Sequence, residues 1–235
     1  MKQKKGHPLS VIRHPLFFSS LSGWLLALCY PLAGWGFLAW VALVPLLCVL
    51  SRAHSRSQAL GYSLTAGMVF FGFSMHWITH VTTAGWLLLA PMQSVYLMLF
   101  GWLAYEGIHS RRSLVFRIVW IALSWTVTEM LRAEMPVFGF GWNLMAYSQA
   151  SYPVMIQSAN IFGAYGLGFM IVLVNGCIFE LISPKKMRKR GVPAALFAAA
   201  LLIPGALLFH GDRTLAKNYH PEEYLRVSVL QGNIP

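Results

Sequence analysis

Long apolar runs broken by short polar or basic connections dominate the chain. A helix needs about 20 apolar residues to cross the hydrocarbon core of a bilayer. Seven runs approach that length. Leu16 to Ala33 and Trp35 to Leu50 come first, both short and joined so tightly through Gly34 that a helical hairpin is expected. Ala59 to Ile78, Leu87 to Ile108 and Leu114 to Leu131 follow. Val154 to Ile182 is too long for one upright span, and Gln157, Ser158 and Asn160 mark its first part as interfacial, with the crossing starting near Ile161. Val192 to Phe209 is the seventh. The pattern predicts an all-α polytopic membrane protein with about seven transmembrane helices.

Beyond Phe209 the composition turns polar. Residues 211–223 read as a linker, and Leu225, Val227 and Val229 alternate with Arg226 and Ser228 in the manner of a half-buried strand. Two units are therefore expected, a helical membrane domain over 1–210 and a linker with the start of a second domain over 211–235.

Composition agrees with a membrane protein: 57% of residues are hydrophobic and 11% charged. A net charge of +11 would suit a nucleic-acid binder only if it formed a basic patch on a soluble surface, whereas here the bases fall in clusters between apolar runs, so nucleic acid is not an expected partner. Placing the N-terminus in the cytoplasm puts 14 of the 18 Lys and Arg on the cytoplasmic side and leaves Arg132, Arg213, Lys217 and Arg226 outside. Seven crossings then bring the connection after Leu131 and the C-terminal tail to the same outer face, periplasmic in a bacterium. Lys2, Lys4 and Lys5 ahead of the first run resemble a signal peptide. Leu28 stands before Cys29, where lipoprotein processing wants a small residue, and no Ala-x-Ala site closes the run, so an uncleaved helix is expected. Cys29, Cys48 and Cys177 all lie in apolar runs and read as small buried hydrophobes.

The stretch from Glu129 to Gln149 stands apart. It holds two acids, Arg132, Pro136, Gly139, Gly141 and Trp142 between two apolar runs. Pro136 stops a helix, the glycines relax the backbone, and the aromatic side chains suit a lipid–water boundary. Trp125, Glu129, Leu131, Arg132, Trp142, Leu144, Tyr147, Ser148 and Gln149 resemble the Trp-x-x-x-Glu-x-Leu-Arg helix end, tryptophan turn and Tyr-Ser-Gln tail of the apolipoprotein N-acyltransferases. Gly141 departs from the proline usual before that tryptophan. Phe70-Phe-Gly-Phe-Ser-Met-His-Trp77, Gly163-Ala-Tyr-Gly-Leu-Gly-Phe169 with Leu173-Val-Asn175, and Val227-Ser-Val-Leu-Gln-Gly-Asn-Ile-Pro235 match further family segments in order. The last is similar to the opening of the family's nitrilase-like catalytic domain.

The resemblance implies an enzyme that moves an acyl chain from a phospholipid to the N-terminal diacylglyceryl cysteine of a lipoprotein, through a thioester on its own cysteine, in the bacterial inner membrane. It implies no cofactor. Its partners would be the phospholipid acyl donor, the diacylated apolipoprotein and the bilayer. The catalytic Glu, Lys and Cys belong to the domain whose opening the chain reaches at Pro235, so acyl transfer by these 235 residues alone is not expected. Two other classes fit the same sequence: a non-enzymatic scaffold or split subunit docking a separately encoded nitrilase-like domain, and a small transporter. Few intramembrane charges and no pair of broken helices speak against the transporter.

Glu129 and Arg132, three residues apart, share a helix face, where they either line a substrate cavity or neutralise each other and fix the loop. The resemblance implies a functional role for Trp142, and an interfacial anchor is the alternative. Together these three are the candidate substrate-binding residues. His76 and His80 have metal-compatible spacing but no third ligand, and they read as interfacial. Glu106 and Glu180 are expected to snorkel. Asn175 reads as an interhelical hydrogen bonder, and Gly163, Gly166 and Gly168 as a helix-packing ridge.

Overall fold

A computed structural model describes residues 14–31, 33–136, 139–183 and 192–217, together with Ser228. Among these residues the fold is all-helical. Its elements are α1 (Pro15–Leu28), α2 (Val44–Leu50), α3 (Arg56–Ser74), α4 (Thr83–His109), α5 (Leu114–Glu134), α6 (Pro153–Ile156), α7 (Ala159–Ile182) and α8 (Val192–Leu215). Short 3₁₀ turns occupy Gly36–Trp40, His76–His80 and Met145–Gln149. Several starts follow from local chemistry. Pro15 and Pro153 open α1 and α6, where a missing N–H costs nothing. Ser55, Thr82 and Ser113 accept from the N–H three residues on and cap α3, α4 and α5.

Four helices, α4, α5, α7 and α8, are long and apolar enough to cross a membrane. The Pro15–Leu28 and Gly36–Leu50 segments are apolar but shorter. The second expected span breaks into a 3₁₀ turn and the seven-residue α2, because residues 41–43 turn and Pro45 restarts the helix. The expected split after Val154 is present: α6 ends at Ile156, and Gly163 takes φ 66°, ψ 179° inside α7. That conformation is open essentially to glycine alone. α8 continues six residues past Phe209, so the first part of the expected linker is helical. The expected strand lies outside the described residues, apart from Ser228.

The helices pack in the order α1, α3, α4, α5, α7, with α2 inserted against α1, α3, α4 and α7, and α8 lying outside on α6 and α7. Leu46, Leu47 and Leu50 of α2 are wholly buried, so this short helix is the centre of the core. Asn175 of α7 fixes its entry. The amide oxygen accepts from Leu43 N–H (2.9 Å), and the amide nitrogen donates to Ala39 (2.8 Å) and Ile171 (2.9 Å) carbonyls. Of the three ridge glycines, only Gly168 faces another element: a Cβ there would lie 3.2 Å from Glu129 Oε2. Gly163 is instead a bend.

Glu180 corrects the snorkelling expectation. It is fully buried and accepts two hydrogen bonds from Arg117, at 2.7 Å from Nε and 3.1 Å from Nη2, which satisfies both charges between α5 and α7. Glu106 pairs with Arg56 at the exposed edge of the same end of the bundle. The three cysteines are free and buried.

Candidate functional site: a clamped tryptophan loop

Opposite those ion pairs, the other end of the bundle gathers the turn after α1, the His76–His80 turn, residues 135–136 and 139–152, and the end of α8. Tyr30 reaches the loop from the first, Trp77 from the second, and Gly211 packs against Val154 from the last. The loop and the end of α8 thus share one end of the molecule.

Glu129 and Arg132 lie on the last two turns of α5 and are each 3% exposed. Their hydrogen bonds run to the loop. Arg132 Nη1 donates to the carbonyls of Phe140 (2.8 Å) and Trp142 (2.7 Å), and Nη2 to that of Asn143 (3.2 Å). Its guanidinium also sits 5.4 Å from the centroid of the Phe71 ring. Glu129 Oε1 accepts from Met145 N–H at 2.6 Å. A basic side chain therefore holds the oxygens on one side of the turn, and an acidic one holds the nitrogen that follows. Among the described residues, ion pairs within 4 Å join Arg56 to Glu106 and Arg117 to Glu180. Glu129 and Arg132 are coupled through the loop instead.

Three further groups complete the clamp. Tyr30 Oη donates to the Asn143 and Leu144 carbonyls (3.0 and 3.1 Å). Gln149 Nε2 donates to Gly36 (2.8 Å), and Trp40 Nε1 donates to Gln149 Oε1 (3.4 Å). Gly36 is obligatory at this crossing, since a Cβ would fall 1.9 Å from the Ser148 carbonyl oxygen. The left-handed residue of the turn is Asn143 (φ 59°), not either loop glycine, and asparagine tolerates that region better than most residues.

With the backbone held, the Trp142 side chain projects outward at 56% exposure. Its ring centroid lies 5.1 Å from that of Trp77 and 6.2 Å from that of Phe140, forming an aromatic surface at the rim. Beneath the loop, Phe70, Phe71, Tyr96, Trp125, Glu129 and Asn143 border a cavity of about 10 Å³, room for roughly one water and far too small for an acyl chain. A lateral groove of about 340 Å³ opens between α3 and α4, lined by Met68, Phe73, His76, Trp86, Leu87 and Pro91. Trp86 Nε1 donates to the Gly72 carbonyl (2.9 Å) and fixes one wall. His76 meets the Trp86 ring edge-on at 5.6 Å. Among the described residues, no group of three or more His, Cys, Asp or Glu is arranged to hold a metal.

The structure thus brings all three sequence candidates together but separates their roles: Glu129 and Arg132 grip main chain, while Trp142 faces outward. Tyr30, Trp77 and Asn143 were missed by sequence reasoning. Trp77 closes a matched motif and Asn143 lies between matched residues, whereas nothing near Tyr30 points to a loop more than 100 residues away.

The profile of the apolipoprotein N-acyltransferase N-terminal domain matches residues 22–177. Apolipoprotein N-acyltransferase of Geobacter metallireducens is 32% identical over 241 residues, covering 96% of this chain and 44% of the relative. That of Gloeobacter violaceus is 30% identical over 230 residues, covering 90% and 42%, and that of Pasteurella multocida 28% over 233, covering 93% and 42%. The chain spans less than half the length of these relatives. With the matched profile taking in the clamp from Tyr30 to Gln149, the chain belongs to the apolipoprotein N-acyltransferase family, and residues 22–177 match that family's N-terminal domain.

Proposed function

We propose that this chain is the membrane domain of an enzyme that transfers an acyl chain from phospholipid to the N-terminal diacylglyceryl cysteine of lipoproteins. In this reading α1, the 36–50 segment and α3 also cross the membrane, giving seven crossings in a bacterial inner membrane. The N-terminus is cytoplasmic, and the residues after α8 lead to a nitrilase-like catalytic domain on the periplasmic side. The domain contributes position rather than bond-making groups: it holds lipid substrates at a fixed depth and angle to catalytic residues supplied from outside the bundle.

The observation that carries the reading is the division of labour in the loop. Buried Glu129 and Arg132 spend their polar atoms on its backbone, which leaves the Trp142 indole exposed beside Trp77. An indole has a broad apolar face and one N–H donor, which suits an acyl ester lying at the boundary between hydrocarbon and headgroup. The groove between α3 and α4 supports lateral entry of an acyl chain at the same end. In this scheme Trp142 touches substrate, and Glu129 and Arg132 are positioning residues.

The test joins this domain to the family's catalytic domain and follows acyl transfer from phosphatidylethanolamine to a diacylated lipopeptide by mass spectrometry. Trp142→Ala should lower kcat/KM at least about tenfold, with Trp142→Phe recovering part of the loss, while the unfolding midpoint stays put. Unchanged transfer by Trp142→Ala would remove the proposed role.

A further inference from the structure

The ion-pair end of the bundle carries a second groove, far from the tryptophan loop. α5 and α8 both pack on α7 and leave between them an apolar trough of about 390 Å³. Ile118, Cys177 and Leu196 form its buried floor, a small core separate from the main one. Val115, Val192 and Ala199 line its sides. α8 is otherwise poorly covered: 11% of its apolar window is buried within the protein, against 39–44% for α4, α5 and α7.

Size decides what fits. A helix about 10 Å across, laid along the 12 residues of α8 from Val192 to Ile203, would fill on the order of 1,400 Å³. The trough holds less than a third of that and falls at the low end of the range for small-molecule pockets. One acyl chain can lie wholly within it, whereas a partner helix could seat only one face there.

Charge decides which headgroup. The groove begins at Leu114, just after Arg111 and Arg112, both of which are exposed. The acids at this end are engaged elsewhere, Glu180 by Arg117 and Glu106 by Arg56. Arg117 donates to the Arg112 carbonyl (3.0 Å), which ties the exposed pair to the groove wall. The Arg112 guanidinium lies 5.9 Å from the centroid of the Phe116 ring, and no acid pairs with it or with Arg111 among the described residues. Two such cationic groups next to the start of an apolar trough match a phosphate beside a hydrocarbon tail.

We infer that the trough between α5 and α8 is a binding site for one anionic glycerophospholipid of the surrounding bilayer, its acyl chain on the Ile118–Cys177–Leu196 floor and its phosphate at Arg111 and Arg112. The lipid supplies packing between α5 and α8 that the protein lacks.

Native mass spectrometry of the full chain, released from nanodiscs holding equal phosphatidylglycerol and phosphatidylcholine, tests the site. The expected result is one retained phosphatidylglycerol, favoured roughly tenfold over phosphatidylcholine. Arg111→Gln with Arg112→Gln should abolish the preference without touching the core. Ala199→Trp should fill the trough and prevent retention of either lipid. Equal retention of both lipids by the unaltered chain, retention of neither, or a preference that survives the double arginine variant overturns the proposal. If Ala199→Trp does not fold, the arginine variant alone decides.

Discussion

Replacing Arg132 by methionine keeps an unbranched apolar stem and removes the donors that hold the loop. Three carbonyls lose a charged partner, those of Phe140, Trp142 and Asn143. A hydrogen bond to a charged group contributes about 1.5–3 kcal/mol. The Asn143 oxygen keeps the Tyr30 hydroxyl, which leaves two uncompensated losses and a range of about 3–6 kcal/mol. Phe140 is part-buried and Trp142 exposed, so water can reach their carbonyls once the loop loosens, and the lower end, about 3 kcal/mol, is the expected cost. Tyr30→Phe is the control. It removes one hydroxyl shared by two carbonyls, one of which Arg132 still holds, and should cost about 1 kcal/mol. Both variants would be compared by unfolding in one detergent under fixed conditions. The rate at which a thiol reagent modifies Phe140→Cys, placed in each background, would report local opening. Arg132→Met should give the larger drop in stability and faster labelling. If it is no more disruptive than Tyr30→Phe by both measures, the clamp described for Arg132 does not hold the loop.

Two more substitutions probe other joints. Asn175→Leu strands the Leu43 N–H and the Ala39 carbonyl between α7 and the start of α2, so the unfolding free energy should fall by about 2–4 kcal/mol in denaturant unfolding. At Asn143, Gly should match the native stability within about 0.5 kcal/mol and Ala should cost about 1–2 kcal/mol, because the left-handed backbone rather than the amide sets the cost; denaturant unfolding of the pair checks this.

Long apolar stretches made α4, α5 and α8 legible, since their length alone demands helix. The break before α7 was also legible, because Gln157, Ser158 and Asn160 interrupt the run. The 36–50 segment was harder: its apolar character survives while its backbone turns at 41–43 ahead of Pro45, and the Leu43 N–H freed there is met by Asn175 from 132 residues away. Glu180 was misjudged for the same reason. Its partner is 63 positions distant, and no local spacing encodes that pairing. The tryptophan loop announced itself through Pro136, Gly139 and Trp142, but its supports did not. Three of them, Tyr30, Gly36 and Trp40, lie more than 100 residues earlier and meet the loop through the Asn143 carbonyl and the Gln149 amide.

Arg132 grips carbonyl oxygens, which every amino acid possesses, and this has an evolutionary implication. A loop fastened by its main chain is a mount onto which different side chains can be fitted without refolding the bundle. Position 142, exposed at the rim, is thus free to vary in shape and polarity while its anchorage stays the same, so under the proposed function a change of lipid preference needs only single substitutions there.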